Sequence, residues 1–198
     1  MQQYTQILTD ATTIFFIAEY VWVIAGNSII FSLMNFWHRI FSILGEKPYL
    51  TSLTSLFIIL LFTAYSLRHE LLYYQIPVPS SVSTFGLILL FAGLLGDTWA
   101  FHTLGWKTAL NTQSIITPKE KRTLVTRGPY ALSRNPLYVS DSLALFGLLL
   151  FTGYAALMPL LILYLLHVLT QTRMEEQELS QTFGTKFTEY QKHTPRFI

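Results

Sequence analysis

Five long apolar stretches limit the fold of this chain more strongly than any other feature of its sequence. A helix crosses the hydrocarbon core of a bilayer with about 20 apolar residues. Because lipid offers no partners to backbone polar groups, helices are the expected spanning elements. We therefore predict an all-α fold, an integral membrane bundle of about five transmembrane helices with a cytoplasmic C-terminal amphipathic helix. The predicted spans are residues 14–36, 50–67, 82–101, 136–151 and 154–169.

The composition agrees with a membrane protein and argues against other classes. The chain is 52% hydrophobic and only 12% charged, which is too apolar for an ordinary soluble domain. Its net charge of +2 says little about nucleic acid, and we expect no nucleic-acid partner. With 0 Cys it has neither disulfides nor a thiolate metal site. The His, Asp and Glu residues show no metal-ligand spacing, so we predict no metal site.

The polar residues that can do chemistry are concentrated in the second half of the chain. No internal repeat or flexible linker divides the 198 residues, so we predict a single domain. Residues 1–101 are expected to be scaffold spans. Residues 102–198 are expected to supply a polar loop, a helical hairpin and a tail.

The distribution of Lys and Arg predicts the orientation in the membrane. Basic residues are frequent in the 102–135 loop and in the tail, whereas none precedes Ile14. The positive-inside rule places the loop and the tail in the cytoplasm. Arg39 and Lys47, between the first two spans, fall on the same side. With an odd number of spans, the N-terminus is then expected outside. The first span is not expected to be a signal peptide, because nothing basic precedes it.

The segment 127–141 places arginines, an asparagine and prolines directly against the fourth apolar stretch. Pro136 suits the first position of a helix, and Asn135 before it suits the capping position. A helix N-terminus attracts an anion such as a carboxylate or phosphate. The alternative interpretation is that these residues only begin a transmembrane helix at the interface.

The tail combines acidic residues with an apolar stripe at helical spacing. It predicts an amphipathic helix that lies along the membrane surface or folds back over the loop. Thr172 and Glu175 have the spacing of a capping box, and Glu175 and Glu176 would suit a first helical turn. Alternatively, a carboxylate at this depth holds a cationic ligand group. The apolar stripe consists of Leu179, Phe183, Phe187 and Tyr190.

These motifs occur in a fixed order over the C-terminal half of the chain. The order resembles that of the isoprenylcysteine carboxyl methyltransferase family of integral membrane enzymes. The motifs are Gly128-Pro129-Tyr130, Arg134-Asn135-Pro136-Leu137-Tyr138, Glu175-Glu176, Phe183-Gly184, Tyr190 and Pro195-Arg196, with Thr123-Leu124-Val125 before them.

The resemblance implies a methyltransferase that uses S-adenosylmethionine. The cofactor would lie between the loop, the last two spans and the tail. Its carboxylate suits a helix N-terminus and an Arg, and its ammonium suits Glu175. Its adenine needs an aromatic or apolar slot, to which Tyr130 or Tyr138 can contribute. The cofactor-binding residues that the resemblance implies are Arg122, Leu124, Val125, Tyr130, Asn135, Pro136, Leu137, Tyr138 and Glu175.

The chain departs from the family at two positions. Gln171 stands where the family often has a substrate-contacting arginine, so either Arg173 replaces that arginine or the substrate differs. Asn135 replaces the more usual histidine, which leaves no evident general base. Catalysis would then depend on in-line positioning and exclusion of water. The candidate catalytic residues are Arg173, Glu176 and Asp141.

Three acidic residues lie within predicted spans. Asp97 and Asp141 are expected to face the pocket, either as a polar contact between helices or in a substrate-side role. Glu19, in the first span, is expected to be paired within the bundle or to lie near the surface.

Three functional hypotheses follow from the sequence. The first is methyl transfer to a carboxylate, thiol or amine of a lipophilic molecule that arrives from the bilayer, with membrane lipids as partners. The second is an NADPH-dependent membrane reductase of the sterol reductase type. The motif of those enzymes has an aspartate where this chain has Asp141, but their tail lacks the adjacent glutamates. The third is a non-catalytic membrane scaffold.

Overall fold

The part of the chain that the structure describes is mostly helical, and its helices are joined by short non-helical segments. This computed structural model describes residues 2–32, 40, 43–44, 46–110 and 122–198. Short helices span Arg68–Leu71 and Trp106–Ala109, and a 3-10 turn spans Gly128–Ala131. The longer helices are α1 (Gln2–Ser32), α2 (Glu46–Ser66), α3 (Ser80–Leu104), α4 (Pro136–Thr152), α5 (Leu157–Phe183) and α6 (Thr185–His193).

The helices have the lengths and compositions that a membrane protein needs. Within the described ranges, α1 (over Tyr4–Gly26), α2, α3 and α5 are each long and apolar enough to cross a bilayer. Helix α4 is apolar but shorter, with 17 residues. The prediction of an all-α integral membrane bundle is thereby confirmed.

The first helix begins earlier than predicted, at Gln2 rather than at residue 14. Its first turns contain polar side chains, and hydrogen bonds to these side chains stabilise the helix there. The hydroxyl of Thr13 donates to the carbonyl of Thr9 at 2.8 Å, and Gln6 and Asp10 both bond to Tyr154 beyond α4. Positions 33–36 of the predicted span lie outside the described residues.

The fifth helix continues beyond its predicted end at residue 169 and incorporates the start of the tail. Thr172 does not cap a new helix, because its hydroxyl donates to the carbonyl of Val168 at 2.8 Å, as inside a continuous helix. Nothing in the intervening sequence interrupts the backbone hydrogen bonds. Helix α5 ends at Phe183, where Gly184 takes a φ of +54°, and the predicted tail helix is therefore divided between α5 and α6.

Glycines bring α3 and α4 into close contact. A Cβ on Gly147 of α4 would overlap the backbone nitrogen of Leu90, and one on Gly93 of α3 would lie 2.5 Å from the backbone nitrogen of Ala144. Small residues allow the backbones of membrane helices to approach in this way. This packing holds α4, which begins at Pro136, at a defined position on α3.

A tyrosine pair in the core joins α1, α4 and α5. The rings of Tyr20 and Tyr164 meet edge to face with centroids 4.8 Å apart. The hydroxyl of Tyr20 donates to the carbonyl of Asp141 at 2.6 Å, and that of Tyr164 donates to Oδ2 of the same residue at 2.8 Å. Asp141 is therefore held at the meeting point of three helices.

Gly147→Ala is expected to destabilise the protein by about 1–3 kcal/mol, the usual cost of overpacking a tight contact. The measurement is the melting temperature of the full chain purified in detergent. Gly26→Ala is the matched control, because a Cβ on Gly26 meets open space and alanine favours helix by roughly 0.8–1 kcal/mol. Equal melting temperatures for the two variants would contradict the proposed packing.

Candidate active site

A cavity of about 440 Å³ opens where α4 begins. This volume is within the range of small-molecule sites. Its walls come from all five long helices, α1 to α5, with further residues from the segments on either side of the undescribed residues 111–121.

Several residues implied by the resemblance line this cavity together. Leu124 and Val125 are half-buried and lie outside the lining, and Pro136 is buried at the start of α4. The role of each residue in binding cofactor stays a prediction. Those that line the cavity are Arg122, Tyr130, Asn135, Leu137, Tyr138 and Glu175.

A hydrogen bond between Tyr138 and Glu175 joins α4 to α5 at the cavity wall. The hydroxyl of Tyr138 donates to Oε1 of Glu175 at 2.6 Å. The amide of Gln171 donates to the same oxygen at 3.2 Å. No residue in the described ranges bonds to Oε2 of Glu175, so this oxygen is available to a cationic group in the cavity.

Tyr130 contributes a buried hydroxyl to the same cavity. The 3-10 turn that places Tyr130 begins at Gly128, whose φ is +60°. Tyr130 is 6% exposed, and its hydroxyl has no hydrogen-bond partner among the residues whose structure is described. Burial raises the pKa of this hydroxyl well above its ordinary value, and the charge of Glu175 raises it further. The hydroxyl therefore remains protonated and can donate a hydrogen bond to a ligand.

The adjacent Glu176 has a different environment. Its carboxylate lies between two guanidinium groups, with Oε1 2.9 Å from Arg134 and Oε2 2.6 Å from Arg196. Glu176 raises the pKa of Arg196, so this pair stays charged. We call Glu176, Arg134 and Arg196 the tail clasp. Glu176 does not line the cavity. The geometry therefore indicates a structural role for Glu176 and does not support its predicted catalytic role.

The tail folds back over the motif that precedes α4. The backbone N–H of Arg134 donates to the carbonyl of Pro195 at 2.9 Å, and the side chain of Asn135 donates to the carbonyl of Arg196 at 3.1 Å. Of the two predicted placements of the tail, the fold over the loop is therefore confirmed. Asn135 makes no side-chain cap bond to α4, a correction of its predicted role, because its amide is engaged by the tail.

The remaining predicted residues differ in whether they line the cavity. Arg173 is exposed and does not line the cavity, because it lies on the opposite side of α5 from Gln171 and Glu175. Its substitution for a substrate-contacting arginine thus finds no support in this geometry. Asp141 does line the cavity. Arg122 also lines it, and pairs with Glu178 at 2.8 Å.

The first half of the chain, which was expected to be scaffold, also supplies cavity wall. Glu19 and Trp22 of α1 and Asp97 of α3 all line the cavity. Glu19 was expected to be paired within the bundle or to lie near the surface; it is half-buried and makes no ion pair within the described ranges. An acid in a membrane span is costly and is functional by default, and the spacing of Glu19 and Trp22 places both on one helical face. Both features, the acid within a span and its spacing from Trp22, could be recognised in the sequence.

This fold and this cavity define an integral membrane protein whose apolar helices surround a cavity with both apolar and charged residues on its wall. The sequence profile of the phospholipid methyltransferase family matches residues 82–186. The chain belongs to this family, which includes membrane methyltransferases of the isoprenylcysteine carboxyl methyltransferase type. The resemblance indicated by the ordered motifs is thereby confirmed. The matched segment contains Tyr138 and Glu175 but not Glu19.

Two curated bacterial proteins are similar to part of this chain. The cobalt-zinc-cadmium resistance protein CzcN of Cupriavidus metallidurans is 37% identical over 112 residues, which cover 56% of this chain and 49% of that protein. The nickel-cobalt-cadmium resistance protein NccN of Alcaligenes xylosoxydans xylosoxydans is 36% identical over 111 residues, with the same two shares of 56% and 49%. The chain thus spans about half the length of the curated relatives it matches. No solved structure matches it.

Glu176→Gln is expected to loosen the attachment of the tail by about 1.5–3 kcal/mol, the scale of hydrogen bonds to charged groups. The two guanidinium groups would then face each other without the carboxylate between them. The measurement is amide hydrogen exchange over residues 185–198, which should accelerate. Glu189→Gln is the control, because its pairs with Lys192 and His193 are exposed. Unchanged exchange in Glu176→Gln would show that the clasp does not hold the tail.

Proposed function

We propose that this protein transfers the methyl group of S-adenosylmethionine to a lipophilic acceptor that reaches the cavity from the bilayer. Membership of the phospholipid methyltransferase family supports methyl transfer as the class of reaction. The observation on which the proposal rests is the Tyr138–Glu175 hydrogen bond, which joins two helices in one shared cavity. It keeps a carboxylate beside the N-terminus of α4.

The residues present fit the polar groups of this cofactor. Oε2 of Glu175 suits an ammonium, since charge-assisted hydrogen bonds are the strong ones. The first turn of α4, with Leu137 and Tyr138 on the wall, offers unpaired backbone N–H groups to a carboxylate. Tyr130 and Phe183 line the same cavity and offer aromatic surface to adenine.

When bound, the cofactor supplies an activated methyl group on a sulfonium, so the protein needs to position and desolvate rather than activate. Tyr138 and Gln171 orient the Glu175 carboxylate through their two hydrogen bonds. The tail clasp closes one side of the site by holding the tail on residues 133–135. The apolar helices exclude water from the remaining wall.

We further propose that the cavity and the C-terminus face the cytoplasm, where the cofactor is made, and that the N-terminus is outside. Arg122, Arg127 and Arg134 precede α4, and the tail carries further Lys and Arg residues. This distribution supports the orientation through the positive-inside rule.

The other functions receive less support. The family match favours methyl transfer over an NADPH-dependent reductase. The names of the two relatives concern resistance to metal ions. In the described part of the chain, no group of three or more His, Asp or Glu residues is arranged to hold a metal ion, and the proposed function rests on the cavity rather than on those names.

Glu175→Ala is expected to weaken binding of S-adenosylhomocysteine by about 1.5–3 kcal/mol, the range for a hydrogen bond to a charged group. The measurement is isothermal titration of the full chain in detergent with S-adenosylhomocysteine, and separately with NADPH, which should not bind. Tyr138→Phe should weaken binding less, because it removes only the bond that orients Glu175.

Glu70→Gln is the control, since Glu70 is exposed on the short helix Arg68–Leu71 and does not line the cavity. Its affinity should equal that of the unmodified chain. Binding of NADPH alone would support a reductase, and binding of neither compound would contradict the proposed methyltransferase.

A further inference from the structure

One face of α5 lies along the cavity wall near the C-terminal end of that helix. Its residues recur at spacings of three and four, which places them on the same side of a helix. Glu178 and Thr182 on this face lie outside the ordered motifs, and the resemblance implies no role for either. We call the following residues, all of which line the cavity, the cavity face of α5: Glu175, Glu178, Leu179, Thr182 and Phe183.

The two carboxylates on this face have different electrostatic surroundings. Within the described ranges Glu175 has only neutral partners, the hydroxyl of Tyr138 and the amide of Gln171. The guanidinium of Arg122 instead donates to Oε1 of Glu178 at 2.8 Å, in an ion pair whose side chains are 9% and 20% exposed. Because Arg122 offsets the charge of Glu178, a cationic ligand group gains less at Glu178 than at Glu175.

The paired carboxylate of Glu178 can still accept hydrogen bonds. A carboxylate accepts through both of its oxygens, and no residue in the described part of the chain bonds to Oε2 of Glu178. A ligand hydroxyl that donates to this oxygen makes a charge-assisted hydrogen bond. Glu178 therefore suits a neutral donor, whereas Glu175 suits an ammonium.

Thr182 supplies a second polar group one helical turn further along α5. The other two threonines of this helix bond to its backbone, Thr170 to the carbonyl of Leu166 at 3.0 Å and Thr172 to that of Val168 at 2.8 Å. The hydroxyl of Thr182 is buried and has no such bond, nor any other partner among the residues that the structure describes. A buried hydroxyl without a partner is costly, which indicates that a ligand atom satisfies it.

A ligand with two adjacent hydroxyls fits these two groups. One hydroxyl can donate to Oε2 of Glu178, and the other can share a hydrogen bond with Thr182. Ribose carries such a pair, and an acidic side chain binds the ribose 2′-hydroxyl in dinucleotide-binding folds. In S-adenosylmethionine the ribose lies between the amino acid end and adenine. Glu178 and Thr182 likewise lie between Glu175, which suits the ammonium, and Phe183, which offers aromatic surface to adenine.

We propose that Glu178 and Thr182 form a subsite for the ribose hydroxyls of the cofactor. This inference rests on the proposed function and adds the residues that make the site selective for a ribonucleoside. The two carboxylates of the cavity face of α5 then divide the cofactor between them, with its charged end at Glu175 and its neutral sugar at Glu178.

The test compares S-adenosylhomocysteine with its 2′,3′-dideoxy analogue, which lacks both ribose hydroxyls. Isothermal titration of the full chain in detergent gives the two dissociation constants, and their ratio measures the preference for ribose. We expect the analogue to bind the unmodified chain roughly thirtyfold more weakly, the scale of hydrogen bonds to charged and neutral groups together. Thr182→Val should lower this ratio roughly threefold, and Glu178→Ala should lower it roughly tenfold.

Matched controls lie on the same helix. Thr170→Val removes a hydroxyl that bonds to the backbone in an exposed side chain, so the ratio should equal that of the unmodified chain. Glu175→Ala should weaken both ligands by the same factor and leave the ratio unchanged. Melting temperatures check that each variant folds. Thr182→Val changes no charge and nearly preserves side-chain shape, so it tests the subsite even if Glu178→Ala, which removes the carboxylate paired with Arg122, does not fold.

The outcomes separate this inference from the proposed function. S-adenosylhomocysteine could bind with a ratio near one in the unmodified chain, or with a ratio that is unchanged in folded Thr182→Val or Glu178→Ala. Either result would overturn the ribose subsite while the cofactor site stands. Failure of S-adenosylhomocysteine to bind would overturn the proposed function, and this inference with it.

Discussion

The contact between Glu176 and the two arginines of the tail clasp sets the geometry on which the site depends. It fixes the start of α4, through Arg134, to a carboxylate of α5 and to the end of the chain, through Arg196. Because adjacent helical residues point about 100° apart, holding Glu176 on one side of α5 turns Glu175 toward the cavity. Of these two neighbouring acids, Glu176 thus has a structural role and Glu175 belongs to the candidate site.

Residues from both halves of the chain line the cavity. Tyr138 and Glu175 lie in the segment that matches the family, whereas Glu19 and Trp22 come from α1. The close α3–α4 packing and the Tyr20–Tyr164 contact hold these parts together around Asp141. The residues that line the cavity therefore extend beyond the segment that defines the family.

Much of the fold could be predicted from the sequence because length and hydrophobicity decide whether a helix can occupy a bilayer. The start of α4 at Pro136 and the meeting of Tyr138 with Glu175 were also predictable, from proline geometry and from the order of the motifs. The continuation of α5 through Thr172 was not, because a threonine caps a helix only if the chain before it leaves helical geometry. The directions of Glu176 and Arg173 depend on which neighbours surround each helix face, and helical periodicity alone does not supply those neighbours.

The continuity of α5 has a mechanical consequence. Its 27 residues form a rod of about 40 Å, which carries Tyr164 at its apolar end and Glu175 at its polar end. A rod of this kind tilts as one body when the thickness of the surrounding bilayer changes. A tilt of the apolar end of α5 is therefore transmitted to the end that carries Glu175.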